Sequence, residues 1–441
     1  MQKEKEKKKL TIIIILFLIS ISTLAYSKLT EGQEPIPQIN NEIEKIENIN
    51  DTTQNNITSD TAELSKKKTD ENQVEDNENY IEMNGNNYEI DIKNKTDVAY
   101  LLDKNAGSSI KTPTPKGKQI AIVVTGLDGR LGRPSKLADA NQLILVYPDA
   151  GQIQIISIPR DTYVDMGHED STHLNKLTIC RANKGREAYL KEIARIANVS
   201  KVNYWVEFSF SQAIGIIEFL GYKNPANTLQ VLRSRKGLGG DDYQRCYNQG
   251  QFIRQSLLLH FNKFTGISGS LLIRAGLLFV ETNLTADVII NMVEKLEKNG
   301  FPNPESINVK IKPNVKINYK VYDFNDTTIN KLTKKIEAFN KPRFENETES
   351  PQPKVNVANR LNKVIKEAIA DSAKKPAAVI SKLNPYFQQR AWMQVTNKNE
   401  RAEIRNEFQT LLVNAYMKRN KPEEADKVNA IIKAEKDLFG E

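Results

Sequence analysis

A short apolar run ending in a polar string sets the terms for this chain. Ile153-Gln154-Ile155-Ile156 alternates as a half-buried strand does, and Ser157-Ile158-Pro159-Arg160-Asp161-Thr162 follows it directly. Proline offers no amide hydrogen to a ladder, so the strand is expected to stop there. Arg160 and Asp161 then stand at the C-terminal end of a strand, where open α/β sheets carry their ligands. A lone Arg–Asp pair in that position is more often a structural ion pair than a site. Its weight here comes from its surroundings. Two carboxylates, Asp128 and Asp139, precede it, and an arginine-rich stretch follows, Arg233-Ser234-Arg235 and then Asp242-Tyr243-Gln244-Arg245-Cys246-Tyr247-Asn248-Gln249.

The chain has 441 residues, enough for two or three domains. Its formal net charge of +8 favours partners with phosphates or other acidic groups, although a lysine excess also describes an ordinary solvated surface. Two cysteines, Cys180 and Cys246, exclude a disulfide framework and a four-thiolate zinc site but leave one disulfide open. Three histidines, His168, His173 and His260, speak against a histidine-rich metal site. No Ser/His/Asp or Cys/His pattern accompanies them.

Residues 1–27 begin with Lys3, Lys5, Lys7, Lys8 and Lys9 and continue into the apolar run Leu10–Tyr26. A positive flank before an apolar core reads as an export signal with its N-terminus inside. Ala25-Tyr26-Ser27 offers a cleavage site, while the length of the run approaches the ~20 residues that span a bilayer and favours a retained single-span anchor. The main domain is then expected on the extracytoplasmic side of a cell membrane. Residues 28–117 are rich in Asn, Glu, Asp, Thr and Lys and read as a disordered or weakly structured linker, with one short element within Ile81–Leu102.

The main domain is expected over 118–345. Ile120–Thr125 reads as a buried strand ending in a turn at Gly126–Arg130, and Gln142–Tyr147 as a second strand. Pro148–Gly151 signals a hairpin, so Gln152–Ile158 should return antiparallel. Helical spacing marks Arg186–Asn198, Ser211–Leu220, Gln251–Phe264, Leu271–Phe279, Ala286–Lys298 and Asp326–Phe339. Further strands are expected at Val202–Phe208, Leu229–Leu232, Ile307–Ile311 and Ile317–Tyr322. Alternating strands and helices with an early hairpin predict an α/β fold, a mixed central sheet flanked by helices. After a linker at 346–356, residues 357–441 are helical throughout. Leu411–Ile432 resembles half of a tetratricopeptide-type hairpin, a surface for a protein partner, but such arrays need about three repeats, and a small helical bundle fits equally well.

Two hard carboxylates suit Mg²⁺ better than zinc, because Mg²⁺ takes oxygen ligands and shares substrate phosphates. Arg233 and Arg235 lie two apart, so in an extended chain both would face one way. With Arg160 and Arg245 they could surround a diphosphate, which the planar guanidinium binds bidentately. A metal and several arginines on phosphate oxygens are the means of phosphoryl transfer, though a plain basic patch has the same spacing. Nucleic acid is the poorer reading, since no aromatic platform interleaves the basic residues.

These residues resemble the LytR–CpsA–Psr (LCP) family of membrane-anchored, cell-envelope phosphotransferases. Ser157–Thr162 matches a family motif without a change. Asp128-Gly129-Arg130, Ala138-Asp139 and Leu174-Asn175 resemble three more. Arg233-x-Arg235 with Asp242-x-x-Arg245-x-x-x-Gln249 resembles the long arginine motif, and Thr282-Asn283-Leu284 the usual tail. The resemblance implies transfer of a glycopolymer from a polyprenyl-diphosphate carrier to peptidoglycan or another envelope acceptor. It implies Mg²⁺ (or Mn²⁺) on Asp128 and Asp139, and a diphosphate held by Arg130, Arg160, Arg233, Arg235, Arg245 and Gln249. Asp128, Arg160, Asp242 and Arg245 would be catalytic, with Asp242 orienting the arginines or assisting acceptor deprotonation. Helices around Ile214–Leu220 and Leu257–Phe261 would line a lipid tunnel.

Three departures stand against the family pattern. Leu137 occupies a position where an arginine is usual, with Lys136 a loose substitute. Asn248 replaces another arginine, and the segment from Gly221 to Arg233 is short. They keep a second reading open, an LCP-like protein that binds a polyprenyl phosphate, or scaffolds the envelope, without catalysis.

Overall fold

The computed structural model describes residues 88–90, 98–109, 115–340 and 356–439. The expected anchor, most of the 28–117 linker and nearly all of the 346–356 linker fall outside them. Among the described residues no helix is long and apolar enough to cross a membrane.

The chain enters with two short strands, β1 (Tyr88–Ile90) and β2 (Leu101–Asp103), then two long ones, β3 (Ile120–Arg130) and β4 (Arg133–Tyr147), and β5 (Gln152–Ser157). Helices α1 (Leu177–Asn183) and α2 (Gly185–Ala197) follow, then β6 (Tyr204–Ser209), α3 (Phe210–Phe219), α4 (Pro225–Arg233), α5 (Asp242–His260) and α6 (Gly266–Leu277). The two-residue β7 (Glu281–Thr282), α7 (Ala286–Lys298), β8 (Ile307–Ile311), β9 (Tyr319–Val321) and α8 (Asp326–Phe339) complete this part. Six strands form one mixed sheet in the order β7-β6-β3-β4-β5-β8. β3–β4, β4–β5 and β6–β7 are antiparallel, while β3–β6 and β5–β8 are parallel.

Both faces of this sheet are covered, which is why its strands read as nearly continuous apolar runs. Ile122, Val124, Ile144 and Ile155 join Ile253 and Leu257 of α5 and Ile289 and Val293 of α7 on one face. Their sequence neighbours Ala121, Val123, Leu143 and Ile156 pack with Leu177 of α1 and Tyr189 and Ile193 of α2 on the other. The two cysteines belong to these opposite layers, Cys246 to the first and Cys180 to the second, and both are buried free thiols. The disulfide left open by the cysteine count does not form.

Four expectations change. The turn placed at Gly126–Arg130 is strand: β3 and β4 run on as a hairpin whose tip is Leu131-Gly132, with Arg130 opposite Arg133. Leu229–Leu232 is not a strand but the second half of α4, which opens on Pro225, a residue suited to the first helical turn. Four apolar residues are too few to separate the two periods. The helix placed at Gln251–Phe264 starts nine residues earlier, at Asp242, where Asp241 caps it by accepting from the Gln244 amide at 2.9 Å. Its first turns bury polar residues, which hid the apolar period. Finally, β1 and β2, inside the segment read as linker, pair with β9 in a three-stranded antiparallel sheet, so folded structure starts before Lys118.

The C-terminal region is helical as expected: α9 (Val357–Asp371), α10 (Pro376–Gln388), α11 (Lys398–Lys418) and α12 (Pro422–Phe439). Its apolar faces are not free. Leu361, Trp392, Phe408 and Ile432 share one buried cluster with Ile214 and Ile217 of α3, Leu229 and Leu232 of α4, and Leu332 and Ile336 of α8. Arg401 Nη1 reaches Glu218 Oε2 of α3 at 2.6 Å, and the Phe439 ring packs edge-on against Phe219. Full burial of each such large side chain contributes about 1.5–3 kcal/mol, so these helices belong to the same folding unit as α3 and α4.

Candidate active site

The site lies where the β3–β4 hairpin meets α3, α4 and α5. β-Bulges place its carboxylates. Gly126 pairs with Ala140 and Leu127 with Ala138, which leaves Asp139 as the extra residue on β4. Strict alternation would put Asp139 and Ala140 on opposite faces, yet both line one cavity. The register shifts again between Asp128 and Arg130, and Asp128 lines the same cavity.

Arg160 leaves the end of β5 after Pro159. Its backbone is held by α1, whose first-turn amides are free of intrahelical partners. Thr178 N donates to Arg160 O at 3.0 Å and Leu177 N to Thr162 O at 2.9 Å. Asn175, in the Leu-Asn pair, braces the adjoining loop: its Oδ1 accepts from Met166 N at 3.1 Å and its Nδ2 donates to His168 O at 2.8 Å. Arg160 donates from Nη1 to Asp139 Oδ1 and keeps a longer contact to its neighbour Asp161, Nε to Oδ2 at 3.8 Å. Asp161 stays partly exposed and meets Lys176 Nζ at 3.4 Å.

Arg245 arrives from α5. That helix lies close on the sheet at Gly250, where a Cβ would come within 2.5 Å of Ser157 Oγ. The Arg245 side chain is 2% exposed. Its Nη1 lies 3.5 Å from Asp139 Oδ2, and its Nη2 donates to Asp139 O at 3.2 Å and lies 2.7 Å from Asp242 Oδ1. Arg235 Nη1 is 3.6 Å from Asp242 Oδ1. Burial works against the charged form of Asp139, but Arg245 and Arg160 outweigh it and hold the carboxyl below its ordinary range. For Asp242 burial wins over Arg245 and Arg235, and nearby Asp161 adds to it, so its pKa is raised. Neither oxygen of Asp242 accepts an aligned hydrogen bond.

Arg233, at the end of α4, lies over the Phe210 ring at 4.9 Å, with Nη2 3.8 Å from Asp128 Oδ1. Arg233 and Arg235 are therefore not two residues of one strand; each faces a different carboxylate. Gln249 lines the cavity, but its amide already donates to Leu232 O at 3.1 Å and tethers the end of α4. Arg130 stands exposed at the hairpin tip and, among the described residues, its side chain makes no ion pair. Sequence reasoning missed Phe210 and Gln142, the latter donating to Cys246 O at 3.2 Å beneath the cavity. Neither carries a local signal, because each acts on a residue distant in the chain.

Behind this polar mouth the cavity is apolar. Ala213, Ile216 and Ile217 of α3, Leu229 and Leu232 of α4, and Phe252 and Ile253 of α5 wall a space of about 930 Å³, open mouth included. Of the two helical stretches expected to line a tunnel, Ile214–Leu220 contributes Ile216 and Ile217. Leu257 and Phe261 are buried in the sheet-side core instead. Among the described residues no group of three or more His, Cys, Asp or Glu could hold a metal ion by itself.

Residues 80–221 match the model of the LytR_cpsA_psr family. Over those residues the chain is similar to the LytR–CpsA–Psr family. Among curated relatives, a polyisoprenyl-teichoic acid–peptidoglycan teichoic acid transferase, TagU of Bacillus cereus, is 25% identical over 229 residues, 47% of this chain and 74% of the relative. A solved structure of a Streptococcus agalactiae protein aligns at 16% identity and a TM-score of 0.36, covering 50% of this chain and 88% of the other. TagV of B. subtilis aligns at 16% identity and a TM-score of 0.34, over 51% and 97% of the two chains.

The family match ends at residue 221, so Arg233 to Gln249 lie beyond it. Within the matched residues, Leu137 sits directly opposite Asp128 on the paired strand and puts an apolar side chain where a cation would face the carboxylate. Asn248 is buried; its Oδ1 accepts from Gln244 Nε2 at 2.8 Å, and Gln244 also bonds both the amide and the carbonyl of Lys320 on β9. Gln244, also bonded to Asn248, thus joins α5 to the small sheet. The short Gly221–Arg233 segment holds α4, a wall of the cavity.

Proposed function

We propose that this chain is a cell-envelope phosphotransferase that moves a glycopolymer from a polyprenyl-diphosphate carrier to peptidoglycan or another envelope acceptor. One observation carries the reading: Asp139, held by Arg160 and Arg245, lines an apolar cavity together with Asp128 and Arg233. That pairing of an anion-binding mouth with an apolar interior suits a lipid with a diphosphate head. The domain would act outside the cytoplasm, held to the membrane by the run Leu10–Tyr26.

The isoprenoid chain would occupy the cavity between α3, α4 and α5. Arg160, Arg233, Arg235 and Arg245 would take the diphosphate oxygens. An acceptor hydroxyl attacks the glycan-side phosphorus, the P–O–P bond breaks, a phosphodiester forms, and the lipid monophosphate leaves. Arg160 and Arg245 are fixed before substrate arrives, so the charge of the transition state meets donors already in place. Asp242, whose pKa burial raises, would orient the arginines beside it or assist deprotonation of the acceptor hydroxyl.

Asp128 and Asp139 would hold Mg²⁺ (or Mn²⁺). Asp128 has only a long contact to Arg233 among the ion pairs of the described residues, and each Asp139 oxygen faces one arginine, leaving lone pairs for a hard cation. The ion would complete its shell with water and phosphate and neutralise charge on the phosphoryl oxygens.

A second reading, a protein that holds a polyprenyl phosphate without turnover, is favoured by Leu137 opposite Asp128. The test is incubation of the full chain with geranylgeranyl diphosphate bearing a sugar, with and without Mg²⁺, followed by assay of lipid monophosphate. Metal-dependent release supports transfer. Binding without release supports the holder, and absence of binding defeats both.

A further inference from the structure

Besides packing behind the cavity wall, the C-terminal region reaches the β3–β4 hairpin of the candidate site directly. Just past α10, the buried side chain of Gln389 bonds the end of β3 and the tip of the β3–β4 hairpin. Its Oε1 accepts from Gly132 N at 2.8 Å, and its Nε2 donates to Arg130 O at 3.1 Å. Its own carbonyl accepts from Ser209 Oγ at 3.0 Å, and Ser209 both caps α3 and lines the cavity. The turn presenting Gln389 is itself fixed. Arg390 takes a left-handed backbone, φ 53°, and its guanidinium donates to Leu278 O at 3.1 Å. The Tyr386 ring lies so close to Gly132 that a Cβ there would approach it to 2.1 Å.

This end of the hairpin needs outside support. The register shifts between Asp128 and Arg130, so the ladder is interrupted between the carboxylate and the tip. A primary amide can donate and accept at once, as a strand residue does, and Gln389 gives one bond of each kind to this end of the hairpin.

We propose that Gln389 is a positioning residue. It holds the hairpin tip so that Asp128 keeps its place at the cavity mouth, facing Arg233, and this makes the C-terminal helices part of the site. The catalytic consequence rests on the transferase reading; the hold on the hairpin does not.

The full chain is compared with Gln389→Ala, with Gln389→Glu, which keeps the acceptor for Gly132 but loses the donor, and with Lys398→Ala. Lys398 is exposed and shares Glu218 with Arg401, so it lies in the same helical region away from the hairpin. Four quantities are read: amide hydrogen exchange over 128–134, Tm, and kcat and KM for sugar-bearing geranylgeranyl diphosphate with Mg²⁺. Removing both bonds should speed exchange at the hairpin about tenfold or more while Tm moves little, and lower kcat about tenfold with KM unchanged. Gln389→Glu, which turns a carboxylate oxygen toward Arg130 O, should also speed exchange, and carries the comparison if Gln389→Ala does not fold. Lys398→Ala should match wild type throughout. Unchanged exchange overturns the proposal, as does faster exchange with unchanged kcat. If the wild-type chain turns nothing over, the transferase reading has failed separately, and exchange alone then decides whether Gln389 holds the hairpin.

Discussion

Replacing Asp139 by asparagine separates binding from chemistry in the candidate site. The cluster holds the carboxylates of Asp128, Asp139 and Asp242 against the guanidiniums of Arg160, Arg233, Arg235 and Arg245. Asp139→Asn removes one negative charge beside the expected phosphate position. At an effective dielectric of about 20 and a separation of about 6 Å, that charge repels a phosphate by about 3 kcal/mol. Solvent at the half-open mouth and physiological salt reduce this to about 1–1.5 kcal/mol, or about five- to tenfold in Kd. Asp139→Asn should therefore bind geranylgeranyl diphosphate more tightly than wild type in EDTA, and lose the gain that Mg²⁺ brings. Stability moves the other way. Breaking a buried ion pair costs about 3–5 kcal/mol, but Asp242 still faces Arg245 at 2.7 Å, so about 1–2 kcal/mol is expected. That corresponds to a fall in Tm of about 2–5 °C. Titration calorimetry in EDTA and in Mg²⁺, with a thermal melt, reads all three quantities. Weaker binding than wild type in EDTA would refute the charge-balance reasoning and make Asp139 a brace for its arginines. An undiminished Mg²⁺ dependence would remove it from the metal site.

Acid stability should show opposite signs for two of these carboxyls. The lowered pKa of Asp139 contributes stability above the unfolded value of about 3.9 that is lost as pH falls through the folded pKa. The raised pKa of Asp242 contributes stability present below that value and lost as pH rises through its folded pKa. In melts across pH 4 to 7, Asp242→Asn should thus improve relative to wild type as pH rises, and a decline would contradict the raised pKa. Ala213→Trp, on the cavity wall, should displace about 60–100 Å² of lipid contact and weaken geranylgeranyl diphosphate binding about tenfold with Tm nearly unchanged, whereas undiminished affinity would place the lipid elsewhere. A chain ending at residue 345 should give no cooperative melt, because α3 and α4 lose the other half of their core; a sharp transition would show that the first part folds alone. Both thiols should resist alkylation until the chain unfolds, burial having pushed Cys246 up to about 12, and reductant should leave Tm unchanged. Rapid labelling of the native chain would contradict their burial.

The elements legible in the sequence are those whose signals are local. Ala286–Lys298, Ile307–Ile311 and Asp326–Phe339 were bounded correctly by period and polarity alone. Two of them carry side-chain caps, Thr285 accepting from Val288 N and Asn325 from Thr328 N. α7 also carries a clean stripe, Ile289, Met292, Val293 and Leu296. The hairpin at Pro148–Gly151 and the strand before Ser157 were legible for the same reason. α5 was half legible: its apolar end showed the helical period, while Arg245 and Asn248, buried for their polar partners, erased it in the first turns.

By itself, then, the sequence determined the alternating strands and helices, the two layers of core implied by doubly apolar strands, and which charged residues cluster in number. Tertiary structure decided how those charges meet. Asp139 faces the cavity because β4 carries one residue more than β3 can pair, a property of two strands and not of either. Arg233 turns to Asp128 because α4 is a helix, and Arg235 to Asp242 because the chain bends between them. The C-terminal helices joined the site because their apolar faces had a partner surface on α3, which ends at Phe219 while they begin only at Val357. Periodicity reports which face of an element is apolar; it carries no information about the element that covers it.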